Sequence, residues 1–105
     1  MIARMWRGSA LPEKAEEYIR HLEKSVLPEL QQIDGFQGLQ LMRRESSDSV
    51  EFIVMTLWDS MDSIHSFAGK NAEVAVVAPA AQPLFREYDM AVNHFDVVLN
   101  ASKSI

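Results

Sequence analysis

Residues 2–7, Ile-Ala-Arg-Met-Trp-Arg, alternate weakly between apolar and polar and predict a first β-strand, ended by Gly8–Ser9. Pro12 suits the first position of a helix, where its missing N–H removes no hydrogen bond. Ala15, Tyr18/Ile19, Leu22, Val26, Leu30 and Ile33 then recur every three or four residues and predict an amphipathic helix, with Glu13, Glu16 and Glu17 near its positive end. Pro28 predicts a kink or break near Lys24–Ser25, and Asp34–Gly35 closes the segment. Two β-rich runs follow, Phe36–Glu45 and Val50–Trp58, and the polar link Ser46-Ser47-Asp48-Ser49 makes them a hairpin. In the second run Phe52, Val54, Thr56 and Trp58 point one way and Ile53, Met55 and Leu57 the other, so this strand should be central and covered on both faces. Asp59 or Ser60 caps a second helix with Asp62 in its first turn and a buried stripe of Met61, Ile64, Phe67 and Ala68, and Gly69 stops it. Asn71–Ala78 predicts a short further helix, ended by Pro79. Ala81–Tyr88 reads as irregular or weakly helical around Pro83. Met90–Leu99 alternates as a last strand, and residues 100–105 as a frayed tail.

The order β-α-β-β-α-β is that of an α+β, ferredoxin-like split βαβ domain over residues 1–99, with a four-stranded antiparallel sheet and both helices on one face. The other face has no cover from its own chain. Strand three is apolar on that side too, and Phe95, Val97 and Leu99 share one face of the last strand. Soluble monomers rarely tolerate an apolar patch of that kind, so a second copy of the chain should cover it as a homodimer.

Composition narrows the chemistry. The 105 residues include no cysteine, which removes thiolate nucleophiles, zinc ribbons and iron–sulfur clusters. Net charge is −5, all of it from residues 46–105, and no Lys/Arg stripe interrupts that acidic half, so nucleic acid is not an expected partner. The longest weakly charged stretch, Ala72–Phe85, is broken by Glu73, Pro79 and Pro83 and does not predict a membrane span. Without a signal-like apolar region near Arg4 and Arg7, the expected location is the cytoplasm.

Particular residues carry a family resemblance: the opening Ile2-Ala3-Arg4-Met5-Trp6-Arg7-Gly8, the Pro28…Asp34-Gly35-Phe36…Gly38 turn, the Thr56-Leu57-Trp58-Asp59-Ser60 junction, Phe67-Ala68-Gly69, and Val92-Asn93-His94-Phe95. Over about residues 1–99 the chain resembles the antibiotic-biosynthesis-monooxygenase-like proteins of the dimeric α/β-barrel superfamily. The resemblance implies a dimeric barrel whose pocket takes a small apolar aromatic ligand. In the cofactor-free oxygenases of that group, a phenolic substrate is deprotonated in a dry cavity and its anion reduces O₂, with no cofactor. The haem-degrading branch uses an Asn on the first strand, a Trp on the second helix and a His ligand beyond it. Those positions fall here near Trp6–Arg7, at Phe67 and at Val77, and none matches.

His94 stands out as a candidate base, since His94 and Asp96 share a strand face at i, i+2, where a carboxylate can hold one imidazole tautomer. The competing reading is a hydrogen-bonded structural histidine. Trp58 is the aromatic that the oxygenase resemblance carries to the end of strand three, so the candidate catalytic set is His94, Asp96 and Trp58. Trp6, Arg7, Phe67, Phe85 and Asn93 are candidate substrate contacts, and Arg4 or Arg7 would pair a substrate oxyanion if either faces the pocket. His21 and His65 read as boundary and solvated helix positions, and Asp59 and Asp62 as helix-start anions. The three histidines are too scattered for a metal site, so no metal is expected. The small-residue stretch Asn71–Pro83 is either a mobile lid over the pocket or a packed connector.

Overall fold

The structure is a computed structural model that describes residues 1–103, so the end of the expected 100–105 tail lies outside the described residues. One antiparallel sheet organises the chain. β1 (Ile2–Ala10) and β2 (Phe36–Glu45) flank the central β3 (Val50–Trp58), and β4 (Phe85–Tyr88) and β5 (Asn93–Asp96) pair with the two ends of β1 on its other side. The hairpin falls where the polar link predicts, closed by a Ser46 N–H to Ser49 carbonyl bond of 3.0 Å. The helices lie on one face, as the ferredoxin-like α+β pattern requires.

Register decides which side chains meet those helices. Arg4 lies opposite Thr56, Trp6 opposite Val54 and Gly8 opposite Phe52, so the even residues of β1 and β3 share the covered face. Phe52 and Trp58 there have no exposed surface. The odd residues Met5, Ile53, Met55 and Leu57 occupy the bare face, where all four are only half-buried. On β5, Phe95 lies opposite Ala3 on the bare face and is 55% exposed.

The first helical region follows the apolar stripe but not as one regular helix. A 3₁₀ turn at Pro12–Lys14 leads into α1 (Ala15–His21), a π-helical turn at Leu22–Val26 and α2 (Leu27–Leu30). The π turn is how the chain accommodates Pro28. Proline cannot donate to the Lys24 carbonyl and its ring crowds that oxygen, so the helix widens by one residue instead of breaking. The Leu27 N–H accordingly reaches back five residues to Leu22. α3 (Met61–Ala68) starts at Ser60, whose hydroxyl accepts the Ser63 N–H at 3.2 Å, and ends at Gly69 with φ +81°. Gly35 is constrained twice: φ is +92°, and a Cβ there would overlap the Ser63 hydroxyl and the Asp59 carboxylate.

Four expectations are corrected, and with them the strand count of the sheet, which among the described residues is five and not four. β1 does not end at Gly8–Ser9 but runs on to Ala10, because Gly8 is a packing position: a Cβ on it would stand 2.7 Å from the Trp6 ring and 2.8 Å from Phe85. Asn71–Ala78 forms no helix. It is an extended strap, bridged at Val74 to Ala91 and bonded from Ala75 N–H to the Met90 carbonyl. That strap also explains the end of the sheet. Residues 90–92 leave β1 to pair with it, so the expected last strand is divided, Phe85–Tyr88 is a strand and not irregular, and residues 97–99 lie beyond the last strand.

Candidate functional site

The strap roofs a cavity between the covered sheet face and the first helical region. Its floor is Arg4, Trp6, Val54 and Thr56, its helical wall includes Tyr18 and Leu22, and Val76–Ala78 of the strap lie above. The volume is about 80 Å³, below the roughly 150 Å³ of an apolar cavity that takes benzene. Val76, 51% exposed, stands at the mouth, so a flat ring lies partly in the opening unless the strap moves. A second groove of about 330 Å³ runs past Ile19, Leu27 and Leu41 to Arg43, whose guanidinium is already engaged by Glu16 and Glu45.

Arg4 is the unusual group. It is only 5% exposed, and among the described residues no Asp or Glu forms an ion pair with it. Nη1 donates to the Ala72 carbonyl and lies 2.9 Å from His94 Nε2, and Nη2 donates to the Val74 carbonyl at 3.2 Å. The guanidinium carbon also sits 5.8 Å from the centre of the Phe67 ring, a cation–π contact. An arginine has no acceptor, so His94 Nε2 must accept and the imidazole proton is on Nδ1. Burial lowers the His94 pKa, and the Arg4 charge lowers it further, against the opposing pull of Glu73. His94 is therefore neutral near pH 7. Burial also lowers the Arg4 pKa, without neutralising so strong a base. Burial raises the Tyr18 pKa, so its phenol on the cavity wall stays protonated.

The other candidates divide by face and by layer. Trp6 and Phe67 line the cavity, and Trp6 is held by a 2.8 Å bond from its indole N–H to the Asp89 carbonyl. Trp58 is one layer behind: fully buried, bonded to Thr56 Oγ1 at 2.8 Å and stacked on Phe67 at 5.8 Å. Phe85 is likewise behind, edge-on to Trp6 at 5.3 Å. Asp96 shares the His94 face but is exposed opposite Ile2, and the side chain that holds His94 is Arg4, 90 residues away in the chain, instead of Asp96. Arg7 points from the bare face and pairs with Glu51, which also takes Arg44 at 2.6 Å. Asn93 is exposed, opposite Met5. His21, read as a boundary position, lines the cavity. Thr56 and Tyr18 were not singled out for the site, and their only signal was membership of the inward-facing pattern. Among the described residues no three His, Asp or Glu side chains converge as a metal site, and no helix is long and apolar enough to cross a membrane.

Comparison with known proteins places the fold. Residues 1–79 match the family model for antibiotic biosynthesis monooxygenases. No curated protein matches the chain in sequence. Solved structures superpose along nearly its whole length. One is a Deinococcus radiodurans protein provisionally classed as an antibiotic biosynthesis monooxygenase, with TM-score 0.67, 16% identity and 99% of each chain covered. A Bacillus cereus protein of the same provisional class has TM-score 0.68 at 10% identity, covering 99% of this chain and 97% of its own. The haem degrader MhuD of Mycobacterium tuberculosis, solved with two haems in its active site, has TM-score 0.62 at 20% identity, covering 97% of this chain and all of its own. At these identities the likeness is one of fold.

Proposed function

The chain belongs to the antibiotic biosynthesis monooxygenase family, and from that premise we propose that it is a cytoplasmic homodimer that oxidises a small aromatic or polycyclic substrate with O₂, without metal or organic cofactor. The observation that carries the reading is a buried guanidinium on the wall of a largely apolar cavity, with a neutral imidazole bonded to it. A phenol or enol bound on Arg4 draws Nη1 away from His94, and the Nε2 lone pair released in that way takes its proton. The Arg4 charge stabilises the anion left behind, in surroundings where that attraction is poorly screened. For a ring methylene, the electron-rich anion then passes electrons to O₂. One oxygen becomes the new carbonyl and the other leaves as water, which balances CH₂ + O₂ against C=O + H₂O. Arg4 takes the orienting role that the sequence suggested for Asp96. Trp6 and Phe67 would flank the ring, with Trp58 supporting Phe67 from behind.

A porphyrin fits these residues poorly. The cavity is narrow, Phe67 and Val77 stand at the positions that the resemblance assigns to Trp and His, and the His94 Nε2 lone pair is already taken by Arg4. That same commitment favours one second reading, a dimer that binds its ligand without turnover. O₂ uptake distinguishes the two, measured with a chelator present on a panel of anthrones and hydroquinones. Oxygenase chemistry predicts uptake by wild type that falls about a hundredfold or more in His94→Ala with the fold intact. Saturable binding with no uptake by either protein would select the binding reading.

A further inference from the structure

We propose that the ligand of this cavity is an aromatic carboxylate, its carboxylate on Arg4 and its ring between Phe67 and Trp6. The inference rests on the pocket reading above and adds the charge of what fills it, the carboxylate taking the free Nε and Nη2 donors while the Nη1 side of Arg4 serves the reacting oxygen.

Arg4 carries five N–H donors. Three are used, on Ala72, His94 and Val74. Two have no protein partner among the described residues, one on Nη2 and the one on Nε. Yet no buried side-chain nitrogen or oxygen among the described residues lacks a partner, so the Nε donor reaches open space, and the space Arg4 borders is the cavity. All three present partners are neutral. They satisfy hydrogen bonds but leave one full positive charge 95% out of contact with water, a state that a neighbouring anion relieves strongly. A carboxylate matches the planar fork of a guanidinium with two parallel bonds and supplies one negative charge. A phosphate dianion would call for further cations, and the described residues lining the cavity include no lysine and no second arginine. Apart from the Thr56 hydroxyl and His21, the remaining walls are apolar or aromatic, which selects a flat hydrocarbon body for the rest of the ligand. The strap carbonyls of Ala72 and Val74 hang on the same guanidinium, so an anion arriving at Arg4 also loads the segment that roofs the cavity.

The test compares two probes of the same shape, benzoate and benzamide, by calorimetry on the whole protein, with Trp6 fluorescence as a second readout. The expected result is benzoate binding at least about tenfold tighter than benzamide, with Arg4→Gln abolishing the preference between the two probes and Arg4→Lys restoring part of it. The wild-type comparison stands alone if Arg4→Gln does not fold. Equal affinity for the two probes would overturn the carboxylate inference and leave the aromatic pocket standing. Binding of neither probe, nor of an uncharged anthrone, would overturn both.

Discussion

Arg4 and Arg7 stand three residues apart on one strand, and nearly everything about them differs. Arg4 faces the helices, is 5% exposed and has only neutral partners, whereas the Arg7 side chain is 44% exposed and is matched by Glu51. The contrast is that of the two sheet faces. On the covered face an aromatic core closes around one charged group that must be solvated by backbone carbonyls, an imidazole and a ring. On the bare face the charges sit at one end and pair with each other, and the middle is a band of Met5, Ile53, Met55 and Leu57. An unneutralised buried charge is costly enough to imply use, while a paired surface charge needs no such explanation.

Breaking the covered face should have the largest effect. Trp58→Ala removes a fully buried ring that bonds Thr56 and stacks on Phe67, and should cost about 3–5 kcal/mol in urea unfolding. A loss near zero would mean that this face is not the stabilising core. On the bare face the effect should be on assembly. If the proposed homodimer forms, light scattering should report about twice the 11.9 kDa of one chain for wild type and near 11.9 kDa for Leu57→Glu, which places a charge in the band. A wild-type monomer would remove the homodimer and leave the band without an explanation.

A smaller effect should follow pH. The folded-state pKa of His94 is lowered, so between that value and the unfolded histidine's, about 6.5, the unfolded chain binds more protons. Stability attributable to His94 is therefore complete above about pH 6.5 and is lost as pH falls toward the lowered value. His94 is faced by Arg4 from β1, by Glu73 from the strap and by the more distant His65 of α3, so His94→Gln should flatten the slope below pH 6.5 without changing the acid limb set by Glu51 and Asp59. Urea midpoints at pH 7 and pH 5.5 check this. The smallest effect is expected for Arg7→Met, whose exposed pair with Glu51 should leave the thermal midpoint within error at moderate salt. A large loss there would erase the contrast between the two arginines.

The candidate site was legible in part. Phe67 and Trp6 both line the cavity, Phe67 from the buried stripe that its helical period predicts and Trp6 from the covered side of β1. The sequence singles out His94 by its i, i+2 spacing to Asp96, which names a partner two residues away but not the sheet face that His94 occupies. The actual partner, Arg4, is brought alongside by the pairing of β1 with β5, which no local pattern records. Trp58 and Phe85 lie one layer behind the cavity lining, and Arg7 and Asn93 lie on the bare face.

What the sequence determined by itself was whatever depends on local periods and caps. These are the hairpin at 46–49, the stripe from Ala15 to Ile33, the Ser60 cap, the Gly69 stop and the two-sided strand 50–58. Those features arise within a few residues of chain, where hydrogen-bond geometry leaves few alternatives. The tertiary structure decided which arginine turns inward, since a one-residue shift between β1 and β3 would exchange Arg4 for its neighbours. It also decided that residues 71–78 extend as a strap and that this strap, by pairing with residues 90–92, divides the last strand. Such outcomes depend on which backbone groups remain unpaired once the sheet has formed, and that condition is set by the whole fold and not by any one segment.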